Sequence, residues 1–556
     1  MFHDFIQEDN FIKRFEATVK RQWNEAAVAD YRNEGYTYGQ LAAEIEKTIL
    51  CWKAAGLKKA DKVALNARSC AAWAKVFMAA QIGEFVSVQI FTGFTAADTA
   101  GLVNHSESRI LYTEKGLFSK MDFESMPALL AAIDTATGEL LASRGAFADI
   151  YARSGEIFAM AHPGGYNIED VRYPDVPLDS LAAIMYTSGS TGNPKGVMLT
   201  NLNFTANVFM TERHFPYKRG DNYVSVLPYS HIFGMVYDML EPLCYGMHLV
   251  VLGIPPIPAN LIPALDEFKP RVFFSVPLIL TKMLEATIGE QIHSPEGQAY
   301  LEDYENHPEF CKELADKFMA AMGGNIKLFV TGGAAIPEDL ERLFVEKLKL
   351  PFVTGYGMTE AAPSISLGEY GDYKLHECGK YVEEILDLKI DSQDQANIPG
   401  EILIKGPAVF KGYFKNEAAT VQVFTPDGWF RTGDMATVDA RRSVFIVGRC
   451  KNMILTSNGQ NIFPEEIEVV LNQLPYVAES IVIQKDSRLF AIIVPRSDAV
   501  ANDNISAETL DNIMRKNLET LNSRIPAYSA VSGFRLQYEP FAKTPKGSIK
   551  RFMYTE

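Results

Sequence analysis

Tyr186-Thr-Ser-Gly-Ser-Thr-Gly-Asn-Pro-Lys-Gly196 is the most informative stretch of this chain. It alternates hydroxyl side chains with glycines and places a lysine after a proline; the residues concerned are Thr187, Ser188, Gly189, Ser190, Thr191, Gly192 and Lys195. Glycine lets backbone N–H groups approach an anion closely, hydroxyls donate further hydrogen bonds, and lysine adds positive charge. The pattern therefore predicts a loop that wraps the phosphates of a nucleotide triphosphate.

The flanking residues predict how this loop is placed. The apolar run 181–186 is typical of a buried strand, and Thr200 can cap a helix that begins near Asn201. A Walker loop is excluded because it requires Gly-x4-Gly-Lys-Ser/Thr, whereas Gly196 follows Lys195. A surface linker would explain the glycines and serines, but not a strand that leads directly into them. We therefore predict a strand, the loop, the lysine and a helix, in that order.

Length and charge limit the classes of function. The chain has 556 residues and a formal net charge of −16 at pH 7. This length exceeds what one hydrophobic core usually supports, so at least two domains are expected. The acidic balance argues against nucleic acids and anionic membranes as main partners, because either would need a basic surface.

Cysteine and proline placement indicates the compartment. The six cysteines are scattered, which favours a reducing cytoplasm and argues against a structural zinc site. Prolines interrupt the most apolar stretch, 244–265, so no membrane span is predicted, while reversible contact with a membrane surface stays open.

The pattern along the chain predicts the domain organisation. Short apolar runs alternate with helical patterns over residues 36–360, which is typical of a layered α/β domain with largely parallel sheets. The stretch 286–325 is polar and helical, and is predicted to be an insertion over the core, either a lid or a solvated excursion. The pattern becomes β-rich after residue 385 and α+β after residue 450. We predict an N-terminal domain at 1–448 and a C-terminal domain at 449–556.

The loop at 186–196 resembles the phosphate loop of the adenylate-forming superfamily, which contains acyl-CoA synthetases, peptide-synthetase adenylation domains and firefly luciferase. The resemblance runs from Tyr36 to Arg551 and includes at least five motifs in the family's order. It implies a large layered α/β domain with a β-rich subdomain, followed by a small mobile α+β domain. It also implies that Lys195 and the loop contact the phosphates of ATP.

Val353-Thr-Gly-Tyr-Gly-Met-Thr-Glu360 is the second informative segment. Glycines on both sides of a tyrosine suit an aromatic face laid against a flat ring, and a carboxylate can hold Mg²⁺ beside a phosphate. A glycine turn with a core tyrosine is the alternative. The resemblance implies adenine stacking on Tyr356, with Thr359 near the α-phosphate and Glu360 on magnesium. Further implied nucleotide contacts are Gly355, Gly357 and Met358, with Gly333, Ala334 and Ala335 as the other wall of the adenine pocket.

Asp434 and Arg449 are candidates for the ribose. A carboxylate and a guanidinium can both hydrogen-bond a ribose diol, although a surface ion pair is the common alternative. The resemblance implies that both contact the ribose.

His231 is the last residue of the run Leu227-Pro-Tyr-Ser-His231 and has apolar residues near it in the sequence. A histidine among apolar residues is commonly a core residue whose ring nitrogens are hydrogen-bonded. The resemblance implies instead that His231 orients or gates the acyl carboxylate.

The segment from Gly448 to Gly459 resembles the family's hinge and the loop after it. The resemblance implies that Lys451 is the hinge residue and that Gly459 lies near the thioester channel.

Lys543-Thr-Pro-Lys-Gly-Ser-Ile-Lys-Arg551 departs from the family's last motif, which usually reads Thr-x-x-Gly-Lys-Ile-x-Arg. When the glycine, isoleucine and arginine are aligned, Ser548 occupies the place of the lysine that bridges the acyl carboxylate and the α-phosphate. We predict that Lys546 substitutes for it, with Lys550 as the second choice. The competing interpretation is a slow or adenylation-impaired enzyme.

The resemblance implies an ATP-dependent carboxylic acid:CoA ligase, in particular a cytoplasmic fatty acyl-CoA synthetase of the medium- to long-chain type. Its substrates are then a fatty or other carboxylic acid, ATP and coenzyme A, with Mg²⁺ as the metal. An acyl-adenylate forms with release of pyrophosphate, and AMP leaves when the thioester forms. Three alternatives stay open: an aryl-acid ligase, an enzyme that loads a carrier protein, and a regulatory relative that binds ATP or acyl-adenylate. The sequence leaves the oligomeric state open.

Overall fold

The computed structural model of the protein describes residues 10–187, 194–455, 461–485, 488–526, 529–544 and 549–554. Several predicted site residues lie outside these ranges, and the roles given to them stay predictions: Ser188, Gly189, Ser190, Thr191, Gly192, Gly459, Lys546 and Ser548. The described residues form two compact units. The large unit contains the chain up to Thr187 together with Pro194–Asp387 and Ile404–Gly428, and the small unit contains Leu388–Leu403 and the chain from Trp429 onward.

Fifteen α-helices and β-strands precede the phosphate loop in the described part of the chain, and the first of them is a helix. They are α1 (Phe11–Arg21), β1 (Ala26–Asp30), β2 (Gly35–Thr37), α2 (Tyr38–Ala54), β3 (Lys62–Asn66), α3 (Ala71–Ile82), β4 (Val86–Gln89), α4 (Ala96–Ser106), β5 (Ser108–Thr113), α5 (Lys115–Phe118), β6 (Ala131–Asp134), β7 (Leu140–Ser143), α6 (Phe147–Ala152), α7 (Ser154–Ala161) and β8 (Leu181–Thr187).

The elements after the loop complete most of the large unit. They are β9 (Lys195–Thr200), α8 (Asn201–His214), β10 (Asn222–Ser225), α9 (Ile232–Met235), α10 (Glu241–Tyr245), β11 (His248–Val251), α11 (Pro258–Phe268), β12 (Val272–Ser275), α12 (Pro277–His293), α13 (Pro295–Glu302), α14 (Pro308–Ala321), β13 (Leu328–Thr331), α15 (Glu338–Arg342), β14 (Phe352–Gly357), β15 (Ser364–Leu367) and β16 (Lys380–Tyr381). Two π-helical turns, Val236–Leu240 and Leu343–Lys347, continue α9 and α15.

The remaining elements are β17 (Asp387–Asp391), β18 (Gly400–Lys405), β19 (Gly412–Tyr413), α16 (Glu417–Val423), β20 (Phe430–Val438), β21 (Val444–Arg449), β22 (Ile454–Leu455), β23 (Asn461–Ile462), α17 (Pro464–Asn472), β24 (Val477–Lys485), β25 (Arg488–Pro495), α18 (Ser497–Asn502), α19 (Ala507–Arg524) and β26 (Val531–Leu536). Short 3-10 turns lie at Phe123–Ser125, Ile168–Asp170, Thr359–Ala361 and Arg551–Met553.

The large unit is built on three sheets, in the strand orders β19-β9-β8-β4-β3-β5-β6-β7, β12-β13-β14-β15-β16 and β10-β11-β1-β2. The central pairs β3–β4, β3–β5 and β4–β8 are parallel, as are β12–β13 and β13–β14. Helices connect these parallel strands, so the layered α/β fold predicted from the alternating pattern is confirmed.

The phosphate loop enters the fold differently from the prediction. Thr200 does cap α8, because its side chain accepts a hydrogen bond from the backbone of Asn203 and Asn203 reciprocates. However, the lysine does not lead directly into that helix. Lys195–Thr200 form β9, which pairs antiparallel with β8 so that Lys195 lies opposite Thr187. The loop therefore joins the two strands of a hairpin. The sequence pattern did not predict β9, because the five residues after the lysine are too few to show a periodicity.

The stretch 286–325 is part of the core, which corrects its prediction as a lid or a solvated excursion. Leu314 and Phe318 on α14 are buried in the cluster that surrounds β12 and β13. Helices α12 and α14 pack on each other in the same cluster. The polar residues of α14 lie on its outer face, because an amphipathic helix needs no more than one apolar stripe.

The small unit contains the sheets β17-β18-β20-β21 and β24-β25-β26 and the pair β22–β23. Helices α17 and α19 bury Leu471, Met514 and Leu521 against the β24–β26 sheet. The backbones of Lys543 and Ile549 form an isolated antiparallel β-bridge. The boundary predicted at 448/449 stays a prediction. None of the helices in the described ranges combines the length and apolarity needed to cross a bilayer.

Candidate active site

The β8–β9 hairpin positions Lys195 at the first residue of its second strand. Thr187 Oγ1 donates to the carbonyl oxygen of Lys195 at 3.4 Å, which ties the two strand ends together. The Lys195 ammonium lies 4.7 Å from the centroid of the Tyr413 ring. This is a cation–π contact, so the cation is held at the ring face.

Glu360 lies in the 3-10 turn that follows β14 and contacts the same tyrosine. Tyr413 Oη donates to Glu360 Oε1 at 2.9 Å, and Phe410 N donates to the Glu360 carbonyl oxygen at 2.9 Å. The structure therefore brings together Lys195 and Glu360, the two residues predicted to meet phosphate and magnesium. Sequence reasoning missed Tyr413; the signal available was a tyrosine directly after a glycine in Gly412-Tyr-Phe414.

Two buried asparagines on α8 fix the segments that carry this site. Asn203 Nδ2 donates to the carbonyl oxygens of Pro407 and Val409, at 2.8 and 2.9 Å. Asn207 Nδ2 donates to Ala361 O at 3.3 Å, while its Oδ1 accepts from Ser364 N at 3.1 Å. Because α8 follows β9 directly, one helix aligns the lysine strand with the glutamate turn. Sequence reasoning missed both asparagines, whose signal was polar residues four apart on the buried face of a helix.

The glycine after Tyr356 is required by a close backbone approach. A Cβ atom at Gly357 would lie 2.1 Å from the carbonyl oxygen of Pro363. That carbonyl accepts a hydrogen bond from Met358 N at 2.9 Å. Any side chain at Gly357 would therefore displace the turn that carries Thr359 and Glu360.

The predicted walls of the adenine pocket lie on neighbouring strands. β13 and β14 are parallel with Thr331 opposite Thr354, so the segment after β13 runs beside Gly355 and Tyr356. A Cβ atom at Gly332 would lie 3.0 Å from the Gly355 carbonyl oxygen. Gly333, Ala334 and Ala335 are exposed, whereas Tyr356 is half-buried and Thr359 is buried. The structure thus brings these residues to one sheet edge, and their contact with adenine stays a prediction.

His231 lies at the N-cap position of the short helix α9, after the loop that follows β10, and its side chain makes no capping hydrogen bond. Its ring lies against Phe91, with centroids 4.8 Å apart. A Cβ atom at Gly234 would lie 2.3 Å from the Pro228 carbonyl oxygen, so this tight turn requires glycine. The role of His231 at an acyl carboxylate stays a prediction.

Asp238 holds the loop that leads to His231, and sequence reasoning missed it. Its Oδ2 accepts hydrogen bonds from Val226 N and Leu227 N at 2.6 Å each, and its Oδ1 accepts one from Tyr223 Oη at 2.8 Å. Burial raises the pKa of Asp238 to about 6, despite these donors. Its place in a π-helical turn is a frequent mark of functional regions.

Asp434 and Arg449 lie directly opposite each other on β20 and β21 of the small unit. Arg449 Nε lies 2.6 Å from Asp434 Oδ1. The aspartate side chain is 4% exposed and the arginine side chain 59% exposed, so the pair presents its guanidinium to solvent. The structure brings the two together in an ion pair, which was the alternative to ribose binding, and ribose binding stays a prediction. Lys451 is exposed in the turn that follows β21.

The segment that carries the predicted second lysine is anchored at both ends of its described part. Arg551 forms an ion pair with Glu468 of α17, and Lys543 forms one with Glu479 of β24. Lys550 N donates to Ala542 O at 2.8 Å. Burial raises the pKa of Glu468 to about 7, against the lowering effect of Arg551.

The residues around Glu360 fit magnesium in its nucleotide-bound form. No group of three or more His, Cys, Asp or Glu residues in the described part of the chain is arranged to hold a metal ion. Mg²⁺ commonly takes one or two protein carboxylates, and completes its shell with water and substrate phosphates. A single carboxylate, such as that of Glu360, is therefore sufficient.

Comparison with known proteins gives matches to two family profiles. A profile described as AMP-binding enzyme matches residues 15–414, and one described as AMP-binding enzyme C-terminal domain matches residues 451–556. The long-chain-fatty-acid–CoA ligase FadD15 of Mycobacterium bovis is 28% identical over 473 residues, which cover 80% of this chain and 75% of that protein. The 2-succinylbenzoate–CoA ligase of Bacillus licheniformis is 29% identical over 486 residues, which cover 87% of this chain and 88% of that protein.

A solved structure shares the fold. O-succinylbenzoate coenzyme A synthetase (MenE) from Bacillus subtilis, in complex with ATP and magnesium ion, superposes with a TM-score of 0.72 at 21% identity, covering 97% of this chain and 98% of that chain. The family predicted from the sequence motifs is confirmed by the profiles. The chain belongs to the AMP-binding enzyme family.

Proposed function

We propose that this AMP-forming acid–thiol ligase is a fatty acyl-CoA synthetase. The observation that carries the proposal is the convergence of Lys195 and Glu360 on Tyr413. A cation and a carboxylate at one place suit the phosphates of ATP and their magnesium, and the reaction needs both because two anions must meet.

In the first half-reaction, a carboxylate oxygen of the acid attacks the α-phosphorus of ATP. The bond from the α-phosphorus to the oxygen that bridges it to the β-phosphate breaks, and pyrophosphate leaves. Lys195 binds the β- and γ-phosphates and stabilises the charge that grows on the leaving group. Glu360 would hold the magnesium ion, which would supply positive charge against the phosphates. Thr359 lies beside it to contact the α-phosphate, and Tyr356 stacks on adenine.

In the second half-reaction, the thiolate sulfur of coenzyme A attacks the acyl carbonyl carbon. The bond from that carbon to the phosphate oxygen breaks, and AMP leaves with the electron pair. His231 orients the acyl group during these steps, while Asp434 and Arg449 hold the ribose. Lys451 is the hinge between the half-reactions, Gly459 borders the thioester channel, and Lys546 supplies the second lysine.

Two features support a fatty acid as the substrate. Long-chain fatty acid–CoA ligases are among the relatives of this chain. In addition, one aromatic side chain lies near Gly332: a Cβ atom there would be 3.7 Å from Phe233, whose ring packs on Phe274 with centroids 5.8 Å apart. Apolar side chains beside the site would exclude water from an acyl chain. An aryl acid is the second candidate, because a 2-succinylbenzoate–CoA ligase matches the larger share of its own length.

The test is ATP–pyrophosphate exchange by the purified full chain with fatty acids of increasing length and with aromatic acids. We expect exchange that depends on a fatty acid, followed by thioester formation with coenzyme A. Exchange with aromatic acids alone would replace the fatty acid by an aryl acid. ATP binding without exchange for any acid would favour the regulatory relative, and acyl transfer only to acyl carrier protein would replace coenzyme A.

Lys195 gives the first prediction. Replacement by alanine removes the cation at the leaving phosphates, so kcat/KM for ATP in the exchange reaction should fall about 100-fold. A loss of this size corresponds to the free energy of one or two hydrogen bonds to a charged group. Lys218→Ala is the matched control, since Lys218 is exposed in a loop of the same unit. Equal rates in the two variants would contradict the role of Lys195.

The second lysine gives another prediction. Lys546→Ala should reduce pyrophosphate exchange by roughly 100-fold, while Lys550→Ala and the exposed helix variant Lys516→Ala retain it. A loss in Lys550→Ala instead would move the role to that residue. Unchanged exchange in both variants would show that neither lysine replaces the one missing at Ser548.

A further inference from the structure

Tyr413 is buried between two opposite charges. Its side chain is 6% exposed, the Lys195 ammonium lies at its ring face and the Glu360 carboxylate accepts from its hydroxyl. Among the described residues, Lys195 and Glu360 form no ion pair with each other, although both contact this one ring. A single neutral side chain therefore separates a predicted phosphate ligand from a predicted metal ligand.

The backbone of Tyr413 is held on several sides. β19 pairs antiparallel with β9, with Tyr413 opposite Val197. Phe414 N donates to Gly196 O at 2.8 Å, one residue from Lys195. Tyr413 N donates to Thr420 Oγ1 at 2.9 Å, and the Phe410 ring packs on the Tyr413 ring at 5.0 Å. The ring position is thus determined by the hairpin that carries the lysine.

The chemistry of the ring suits separation of the two charges. The Tyr413 hydroxyl is the proton donor in its contact with the Glu360 carboxylate, because a carboxylate oxygen only accepts. The negative face of the ring attracts the ammonium without neutralising it, whereas a carboxylate would bind it in an ion pair. An ion pair would have to break before phosphate or metal could bind.

We propose that Tyr413 is a positioning residue that prevents Lys195 from pairing with Glu360 and keeps each available, Lys195 for nucleotide phosphate and Glu360 for magnesium. The inference rests on the proposed roles of these two residues. It assigns separate tasks to the two parts of the tyrosine. The ring holds the lysine, and the hydroxyl orients the carboxylate.

The test compares Tyr413→Phe with Tyr413→Leu by calorimetric ATP binding, with EDTA and across a magnesium titration. In Tyr413→Phe the ring remains, so ATP affinity in EDTA should be unchanged, while half-saturation by magnesium should require roughly tenfold more metal because the charged hydrogen bond is lost. In Tyr413→Leu the lysine pairs with Glu360, so ATP affinity in EDTA should also fall about fivefold.

The double variant Tyr413→Leu/Glu360→Gln distinguishes positioning from a loss of packing. Removing the carboxylate charge abolishes the ion pair, so ATP affinity in EDTA should recover although the ring is absent. Tyr151→Phe, which loses a hydroxyl bond to Gly138 O, is the matched control and should match the wild type. Thermal unfolding of each variant monitors folding.

Three outcomes would overturn the inference: a magnesium requirement in Tyr413→Phe equal to that of the wild type, equal ATP affinity in EDTA for the two single variants, or no recovery in the double variant. Failure of the proposed function is a different result, namely ATP and magnesium binding by the wild type without acid-dependent exchange. A wild type that does not bind ATP would overturn both.

Discussion

Glu241 on α10 shows, at the scale of one residue, how burial decides the charge of a side chain. It is 1% exposed, and neither carboxyl oxygen has a hydrogen-bond partner of good geometry among the described residues. Burial raises its pKa to about 8, while the nearby Tyr217 and Thr211 hydroxyls and the more distant Arg14 lower it only in part. The carboxyl is therefore neutral at pH 7 in the folded protein.

The raised pKa has a consequence for stability. Folding favours the neutral form, so the contribution of Glu241 is retained below its ordinary pKa of 4.5 and is lost as the pH rises through about 8. Glu241→Gln, which is neutral at every pH, should be more stable than the wild type at pH 9 by about 5 kcal/mol and within about 1 kcal/mol of it at pH 5.

Urea unfolding at pH 5, 7 and 9 measures this difference. The exposed Glu156→Gln serves as the control and should follow the wild type at each pH. Parallel stability curves for Glu241→Gln and the wild type would mean that the carboxyl is ionised in the folded state.

At the scale of elements, the site depends on one helix that connects three segments. Asn207 of α8 is fully buried and bonds to Ala361 O, Ser364 N and Tyr237 Oη. Asn207→Leu leaves these groups buried without a partner, so the free energy of unfolding should fall by about 3 kcal/mol. Magnesium-dependent ATP binding should weaken as well, because the Glu360 turn is released.

Denaturant unfolding and calorimetric ATP binding check the two effects together. Asn306→Leu is the control, because Asn306 is exposed and bonds only within its own turn. A loss of stability with unchanged ATP binding would show that the turn is held without α8.

A second element-scale prediction concerns the anchor of the C-terminal segment on α17. Arg551→Met leaves the buried Glu468 carboxyl without its cation, so the small unit should lose about 3 kcal/mol. Hydrogen exchange at the Val482 amide, which donates to Glu468 Oε1, reports the change.

Arg551→Met/Glu468→Gln should restore most of the protection, since glutamine keeps the acceptor and removes the charge. No recovery would indicate that Arg551 acts through packing alone.

At the scale of the whole molecule, the chain divides into two compact units, and separate profiles match the two ends of the chain. Lys451 is the first residue of the second profile and the predicted hinge. Lys451→Pro fixes φ near about −65°. We expect this variant to retain pyrophosphate exchange and to form acyl-CoA at least about tenfold more slowly, because only the second half-reaction needs the domain to turn.

Single-turnover thioester formation from preformed acyl-adenylate measures the second step by itself. Lys451→Ala keeps the backbone freedom and should show both activities. Equal loss of both half-reactions in Lys451→Pro would contradict a hinge at this residue.

Local interactions made part of the fold predictable from sequence. The Thr200 cap forms with a residue three positions along, and the strands at 62–66 and 272–275 each contain three consecutive apolar residues. The strand β9 and the burial of one face of α14 were not predicted. The first is too short for a periodic signal, and the burial of the second depends on a cluster built from distant strands.

The sequence by itself determined the family, the α/β class and the identity of the residues that meet nucleotide and metal in the proposed function, because motifs and caps are short-range patterns. Only the tertiary structure decided that Lys195 and Glu360 share Tyr413, that Asn207 ties their elements together and that Asp238 supports the His231 loop. The contacts of Tyr413 and Asn207 join residues far apart in the chain, and they arise from the pairing of β19 with β9 and the packing of α8. A linear pattern contains neither.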